Sequence, residues 1–357
     1  MSSVLETPLN GIGVRSAAAA PASSAPDYRP LPRVSVVVPT YRRPKLLRRC
    51  LDALLAQTLE PGAFEVIVVD DGRSDATRRV VEDLAQQRPA AQLVYLEPET
   101  GRGPAVARNC GWRAARAELV AFTDDDTIPA PDWLEQGTQA MQLFPWVALG
   151  GQVKVPRTET EQRAPTDHEL MTIGIEDAEF VTANAFVRHR ALVQVRGFDE
   201  RFKRAWREDA DLQIRLQNKV GPVGRCEQAV VLHPVRPERW GVSLRQQKNV
   251  FYDALLYRKH RRFYRKHVRS EPPWDYYAIV ALTLSALVAG LGDLAVVAAL
   301  CLALVSLLVL RFAARRLEGT SRAPAHVFEM LATSALIPFL SVYWRLRGAW
   351  HFRTWFL

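Results

Sequence analysis

Val34-Ser35-Val36-Val37-Val38-Pro39-Thr40-Tyr41 decides the fold. A β-branched run closed by a proline reads as a short strand buried on both faces. Pro44 then suits the first turn of a helix, because its φ is already fixed near the helical value. Leu46, Leu47, Cys50, Leu51, Leu54 and Leu55 follow at helical spacing and form one apolar face. The same unit repeats downstream. Val66 to Val69 reads as a second strand, followed by a polar turn and a helix around Val80, Val81 and Leu84. Leu93 to Tyr95 is a third strand, Pro104 to Ala117 a small-residue helix, and Glu118 to Thr123 a fourth strand. Strands alternating with helices through short links predict an α/β domain with a doubly wound, mostly parallel sheet. Val147 to Val153, Val181 to Val187 and Ala229 to Leu232 extend the strand series, and Asp209 to Leu216 reads as a helix.

Outside this region the composition changes. The chain has 357 residues, 48% hydrophobic and 24% charged, which excludes a wholly disordered or collagen-like polymer. Its formal charge of +9 is confined to residues 258–357, where 14 Lys and Arg face 5 Asp and Glu. The preceding residues are balanced. This excess borders the most apolar stretches, so it points to anionic membrane lipids as partners and away from nucleic acid. Tyr276 to Leu310 carries one charge, Asp293, and would be roughly 50 Å long as one helix, against a hydrocarbon core of about 30 Å. A hairpin of two spans, about 276–291 and 294–311, turning at Gly290-Leu291-Gly292-Asp293, fits better. Both basic flanks then face the cytoplasm. A third apolar stretch, Met330 to Val342 within about 325–345, contains Pro338 and is followed by Arg345, Arg347 and Arg353, which would end outside if it crossed the bilayer. It is expected to be an interfacial or re-entrant helix, with Trp344, Trp350 and Trp355 at headgroup level. Residues 1–32, rich in Ala, Ser and Pro from Ser16 onward, are expected to form a mobile tail with no signal-peptide pattern. Cys50, Cys110, Cys226 and Cys301 lack zinc or disulfide spacing, which suits a reducing cytosol. The expectation is a domain at 33–257 on the cytoplasmic side of the cell's inner membrane, with a multi-pass anchor at 258–357.

The chemistry sits at strand ends. Asp70-Asp71-Gly72 follows the second strand and Asp124-Asp125-Asp126 the fourth. In an open parallel sheet both clusters open into one cleft at the carboxyl edge. Adjacent carboxylates repel, and Mg²⁺ or Mn²⁺ would relieve that repulsion while suiting diphosphate oxygens; a turn capping the next helix is the alternative. Glu208-Asp209 and Asp211 open a helix, where acidic residues are favourable anyway, although a carboxylate there is also a candidate general base. His233 ends a strand and is a candidate metal ligand. Arg102 and Arg108 are candidate partners for phosphate or carboxylate. No GxxxxGK[ST] loop occurs, which excludes an ATPase of that class.

Val34-Ser35-Val36-Val37-Val38-Pro39-Thr40-Tyr41, Val68-Val69-Asp70-Asp71-Gly72, Ala107-Arg108-Asn109, Phe122-Thr123-Asp124-Asp125-Asp126, Gly197-Phe198-Asp199-Glu200 and Glu208-Asp209 occur in that order. In this series the chain resembles the family 2 glycosyltransferases of the GT-A fold, over roughly Pro32 to Val235. The resemblance implies inverting sugar transfer from a nucleotide-diphosphate donor. It implies Pro39, Thr40, Tyr41 and Asp71 around the nucleoside with Asp70 beside them, and Asp125 between Asp124 and Asp126, the DxD pair holding Mg²⁺ or Mn²⁺. It further implies Asp209 as catalytic base with Glu208 as the fallback, and His233 as an additional ligand. Processive members carry QxxRW, whereas Arg236-Pro237-Glu238-Arg239-Trp240 lacks the glutamine, so transfer of one or a few sugars to a lipid-linked or other amphiphilic acceptor is expected. The rivals are transfer onto a polyprenyl phosphate, a glycoside hydrolase with paired carboxylates, and a non-catalytic envelope scaffold.

Overall fold

The computed structural model describes residues 31–157 and 163–356 of the chain, so the expected N-terminal tail lies almost wholly outside the described residues. Eight strands form one sheet: β1 (Val34–Thr40), β2 (Phe64–Asp70), β3 (Gln92–Leu96), β4 (Leu119–Thr123), β5 (Ile128–Pro129), β6 (Ala148–Lys154), β7 (Asn184–Arg188) and β8 (Val223–Leu232). Their order is β3-β2-β1-β4-β7-β6-β8-β5. The β3-β2-β1-β4 half is parallel, β7 is antiparallel to both β4 and β6, β8 is parallel to β6, and β5 is antiparallel to β8.

Strand alternation builds two cores, one on each face. Val34, Val36, Val38, Val66 and Val68 point to one side, where they meet α1 (Pro44–Leu54), α2 (Asp75–Gln87) and α4 (Trp133–Leu143). Val37, Ile67, Val69 and Val120 point to the other, against α3 (Pro104–Ala114), α6 (His189–Val195) and α7 (Glu208–Lys219). Each fully buried Val or Ile contributes roughly 1.5–3 kcal/mol of transfer free energy. A short α5 (Asp167–Ile173) precedes β7.

The observed elements sharpen three sequence expectations. β7 begins at Asn184, not Val181, because the Asn184 amide closes a turn onto the Val181 carbonyl. The run at Ala229 to Leu232 is only the end of β8, whose first half is masked by polar residues and whose pairing slips near Gly151/Gln152. The small-residue helix stops at Ala114, since Arg116 turns to Glu65 on β2, with its Nε 2.8 Å from Oε2.

The chain then passes through α8 (Val242–Gln246), α9 (Val250–Lys259) and α10 (Arg261–Phe263) to three helices, each long and apolar enough to cross a membrane. The first two, α11 (Trp274–Leu291) and α12 (Ala295–Leu317), form a hairpin whose open end is tied by Arg315 Nη2 to Asp275 Oδ2 at 2.6 Å. α12 continues beyond residue 311, its last turns carrying the arginines. The third, α13 (Pro324–His351), runs unbroken through Pro338. It touches the sheet domain and its extension along its length. Glu329 Oε1 accepts the Gly241 amide at 2.7 Å, and the Phe352 carbonyl just past its end accepts from Arg258 at 2.7 Å. A Cβ on Gly348 would lie 2.6 Å from the Phe251 carbonyl, so α13 and α9 are in backbone-to-backbone approach.

Candidate active site

Four parallel strands end at one edge, and the acidic clusters converge there. Thr40 is level with Asp70 across the β1/β2 register, and β4 delivers Asp124 beside them. Thr40 donates from Oγ1 to Asp125 Oδ2 at 2.7 Å, and Arg43 Nη1 meets Asp125 Oδ1 at 3.0 Å. Burial pushes the Asp125 carboxyl up to about 6, with Arg43 opposing. Asp124 is the open member of the triplet, its side chain 28% exposed. Arg108 on α3 is buried and forked. Its Nη2 donates to Asp124 Oδ1 at 2.7 Å and its Nη1 to Glu208 Oε1 at 3.0 Å, so one guanidinium joins the two acidic clusters.

Asp70 is consumed by the turn it begins. Its two carboxylate oxygens accept the Gly72 amide at 2.8 Å and the Ser74 amide at 2.7 Å, and Oδ2 also takes the Tyr95 hydroxyl at 3.1 Å. Asp71 reaches the other way. Its Oδ2 accepts the Gly103 amide at 2.9 Å, while its buried Oδ1 has no hydrogen-bond partner and is left for a donor from outside. Gly103, at φ +112, approaches the Lys203 carbonyl so closely that a Cβ would sit 3.0 Å from it. Pro39 is half-buried, Tyr41 is 45% exposed beneath the Arg42 guanidinium, and Arg102 is exposed on the loop before α3.

The second cluster opens α7. Arg207 precedes it in the left-handed region at φ +75, and Glu208 is buried, its Oε2 without a partner. Asp209 is half-buried, its Oδ1 accepting the Ala210 amide at 2.8 Å. Burial holds both carboxyls above their ordinary range. The helix α9, which precedes the three long apolar helices, braces this turn. Asp253 Oδ1 accepts from Trp206 Nε1 at 2.9 Å and Arg207 Nε at 2.8 Å, and Asp211 Oδ1 meets Lys259 Nζ at 2.5 Å and His260 Nε2 at 2.9 Å.

His233 arrives through the shortest strand. β5 pairs Ile128 with Leu232, so the residue after Leu232 falls beside the Asp triplet. His233 Nε2 is 3.8 Å from Asp126 Oδ1, and its buried Nδ1 has no partner. Asp126 Oδ2 is also 3.1 Å from Arg236 Nε and 3.6 Å from Arg43 Nη1. Among the described residues no three His, Cys, Asp or Glu side chains form a ready metal-ligand set. Asp124 turns to Arg108, while guanidinium groups stand against Asp125 and Asp126. The donor types still suit a hard dication, since carboxylate oxygens and an imidazole whose Nδ1 has no partner converge at one edge. Arg43 and Asp253 were not singled out in the sequence, and Arg236 only as the residue standing where QxxRW has its glutamine. Arg43, three residues past the strand-ending Thr40, offered a positional signal, whereas Arg236 and Asp253 act only through tertiary contact.

Residues 35–202 match the family model described as glycosyl transferase family 2, and residues 119–344, more than half of the chain, match the one described as glycosyl transferase family group 2. Validoxylamine A glucosyltransferase of Streptomyces hygroscopicus subsp. limoneus is 42% identical over 120 residues, covering 34% of this chain and 26% of that protein. Glycosyltransferase AglE of Haloferax volcanii is 32% identical over 124 residues, covering 35% and 40%. The succinoglycan biosynthesis protein ExoW of Rhizobium meliloti is 35% identical over 126 residues, covering 33% and 38%. The chain thus spans less than half the length of each of these relatives. Among solved structures, the mannosyltransferase PcManGT of Pyrobaculum calidifontis, in complex with GDP-Man and Mn²⁺, superposes with a TM-score of 0.57 at 20% identity, covering 92% of this chain and 90% of that one, a likeness of fold. With its sheet, its strand-end carboxylates and these matches, the chain belongs to the family 2 glycosyltransferases.

Proposed function

We propose that the protein transfers a single sugar, with inversion, from a nucleotide-diphosphate donor to a lipid-linked saccharide at the cytoplasmic face of the cell's inner membrane. The observation that carries this reading is the Arg108 fork, which holds a strand-end carboxylate and the α7 carboxylates around one edge. The nucleoside lies against Pro39, Thr40 and Tyr41, with the unpartnered Asp71 Oδ1 accepting from its base and Asp70 fixing the turn. Asp124, Asp126 and His233 would hold Mg²⁺ or Mn²⁺, with Asp125 behind them, in place of the guanidinium contacts of Arg43 and Arg236 to Asp126. When bound, the dication neutralises charge on the departing diphosphate. Arg102 stands on the loop at the phosphate end.

Asp209 takes the proton from the acceptor hydroxyl. Its raised carboxyl makes it a stronger base than a solvated aspartate. The hydroxyl oxygen attacks the anomeric carbon as the bond to the diphosphate breaks on the opposite side, which inverts that centre. Glu208 is engaged by Arg108 and sets the turn that presents Asp209. α11 and α12 span the bilayer, and α13, which meets the catalytic domain near both of its ends, lies at the interface beneath it. The lack of the QxxRW glutamine supports transfer without processive synthesis.

The test uses the full-length protein in membranes, a panel of nucleotide sugars, Mn²⁺ and a lipid-linked saccharide extract. Asp209→Asn is expected to keep nucleoside-diphosphate binding and lose transfer, and Asp126→Ala to lose Mn²⁺-dependent binding. Transfer undiminished in Asp209→Asn removes the base assignment, and its survival in both variants removes the reading.

A further inference from the structure

At the foot of the hairpin, remote in sequence from the catalytic carboxylates, lies a cavity of about 380 Å³. One wall is the segment Arg269 to Asp275, which enters α11, and the other is the stretch of α12 bearing Leu308, Arg311 and Arg315. We infer that this cavity binds the phosphodiester headgroup of an acidic membrane phospholipid, with Arg269 and Arg311 as its anion-binding pair.

Charge accounting selects those two residues. Arg315 is committed to Asp275 at 2.6 Å, which neutralises both. Glu271 remains as the one uncommitted carboxylate on the rim, against the exposed guanidiniums of Arg269 and Arg311. The surplus is therefore one positive charge, carried by side chains whose planar forks match phosphate oxygens. The Ser270 hydroxyl adds a neutral donor, and Leu308, Pro272 and Pro273 supply apolar surface for the glycerol end. Trp274, 59% exposed at this mouth, has the amphipathic ring that settles at the headgroup layer.

Position selects the ligand. From this point α11 runs 18 residues, roughly 27 Å, to the Gly292–Asp293 turn, close to the thickness of a hydrocarbon core. With the hairpin in a bilayer, as proposed above, the cavity stands at lipid phosphate level, where phosphodiesters are at high local concentration and soluble anions are not. A zwitterionic headgroup brings its own cation and gains less from the surplus charge.

Native mass spectrometry of the full-length protein, delipidated in detergent and titrated with phosphatidylglycerol or phosphatidylcholine, tests the site. The wild type is expected to retain phosphatidylglycerol at about tenfold lower lipid concentration than phosphatidylcholine, and Arg269→Gln/Arg311→Gln to lose that preference. Arg261→Gln/Arg262→Gln removes equal charge from the same basic segment outside the cavity and is expected to keep it. Equal losses in both double variants would mean diffuse attraction and overturn the site. So would equal protection of the wild type by inorganic phosphate in a thermal-shift arm, which would mean a free-anion site. Arg311→Lys, which keeps the charge and loses the fork, is the check where the double variant unfolds: an unchanged preference also overturns the proposal. Extraction of the wild type by alkaline carbonate is read separately, since release would refute the spanning hairpin itself.

Discussion

Replacing Asp253 by alanine should disable the α7 turn from its support on α9. Asp253 sits on α9, buried, and accepts both the Trp206 indole N–H and the Arg207 Nε, with the Tyr264 hydroxyl 3.4 Å from its other oxygen. Removing one partner of a buried ion pair costs about 3–5 kcal/mol. The Arg207 side chain is 26% exposed, so water recovers part of that, and about 2–3 kcal/mol remains. For an unfolding unit the size of the sheet domain alone, about 150–250 residues, that lowers the apparent Tm by roughly 4–12 °C. The catalytic consequence is separate. Arg207 occupies φ +75, a conformation that costs a non-glycine residue about 1–3 kcal/mol and that Asp253 helps to hold. Freed, residue 207 relaxes and shifts Glu208 and Asp209, and a displacement near 1 Å costs about 10²-fold in rate. Thermal unfolding in detergent, sugar-transfer kcat and nucleoside-diphosphate affinity should therefore fall differently: Tm and kcat drop while affinity holds. Arg207→Gly, which takes φ +75 without strain, should retain more kcat than Asp253→Ala. An Asp253→Ala protein with wild-type Tm and kcat would refute the brace, and a parallel loss of donor affinity would reduce it to general unfolding.

Other outcomes follow from the same contacts. Arg108→Met leaves Glu208 buried without its counter-ion and should destabilise by about 3–5 kcal/mol, read as Tm loss, with Arg108→Lys only partly restoring it because a point charge cannot fork between Asp124 and Glu208. Burial pushes the Asp211 carboxyl up, but the His260 hydrogen bond and the Arg215 and Lys259 charges outweigh it and hold the group below its ordinary range. Its contribution is therefore present above the unfolded value near pH 4 and lost as pH falls further, so Tm should drop between pH 5 and pH 3 more steeply in the wild type than in Asp211→Asn. Gly348→Val drives a side chain into the Phe251 carbonyl and should loosen α13 from α9, seen as new protease cleavage after residue 320 with the sheet domain intact.

The sheet was legible because its signal is local. Val34 to Val38 and Val66 to Val69 are buried on both faces, so hydrophobic runs alone marked them, and the strand-end carboxylates inherited their place from the strands. Individual roles were less legible. Asp70 and Asp71 are adjacent and chemically alike, yet one saturates its oxygens on the Gly72 and Ser74 amides and Tyr95 while the other keeps a free buried oxygen, a difference set by side-chain direction at the end of a strand. The approach of His233 to Asp126 depends on β5, a two-residue strand without any periodicity to detect. Arg236 reaches Asp126 from more than a hundred residues away, and nothing local marks that contact.

The anchor shows the same limit in reverse. Hydropathy finds α13 but not how it docks, because the buried stripe of this helix is its less greasy one. His326, Thr333, Ser334, Ser341, Arg345 and Gly348 face the protein beside Met330, Ile337, Pro338 and Val342, while the outward face carries Phe328, Leu331, Leu336, Phe339, Tyr343 and Trp350. A soluble helix would be the other way round. The inward stripe has specific partners: Arg316 donates to Thr333 and Ser334 and grips Asp167 on α5, and Gly348 permits the close approach to α9. α9 therefore carries both the seat of α13 and, through Asp253 and Lys259, the brace on the Asp209 turn, so the long apolar helix and the α7 carboxylates share one support.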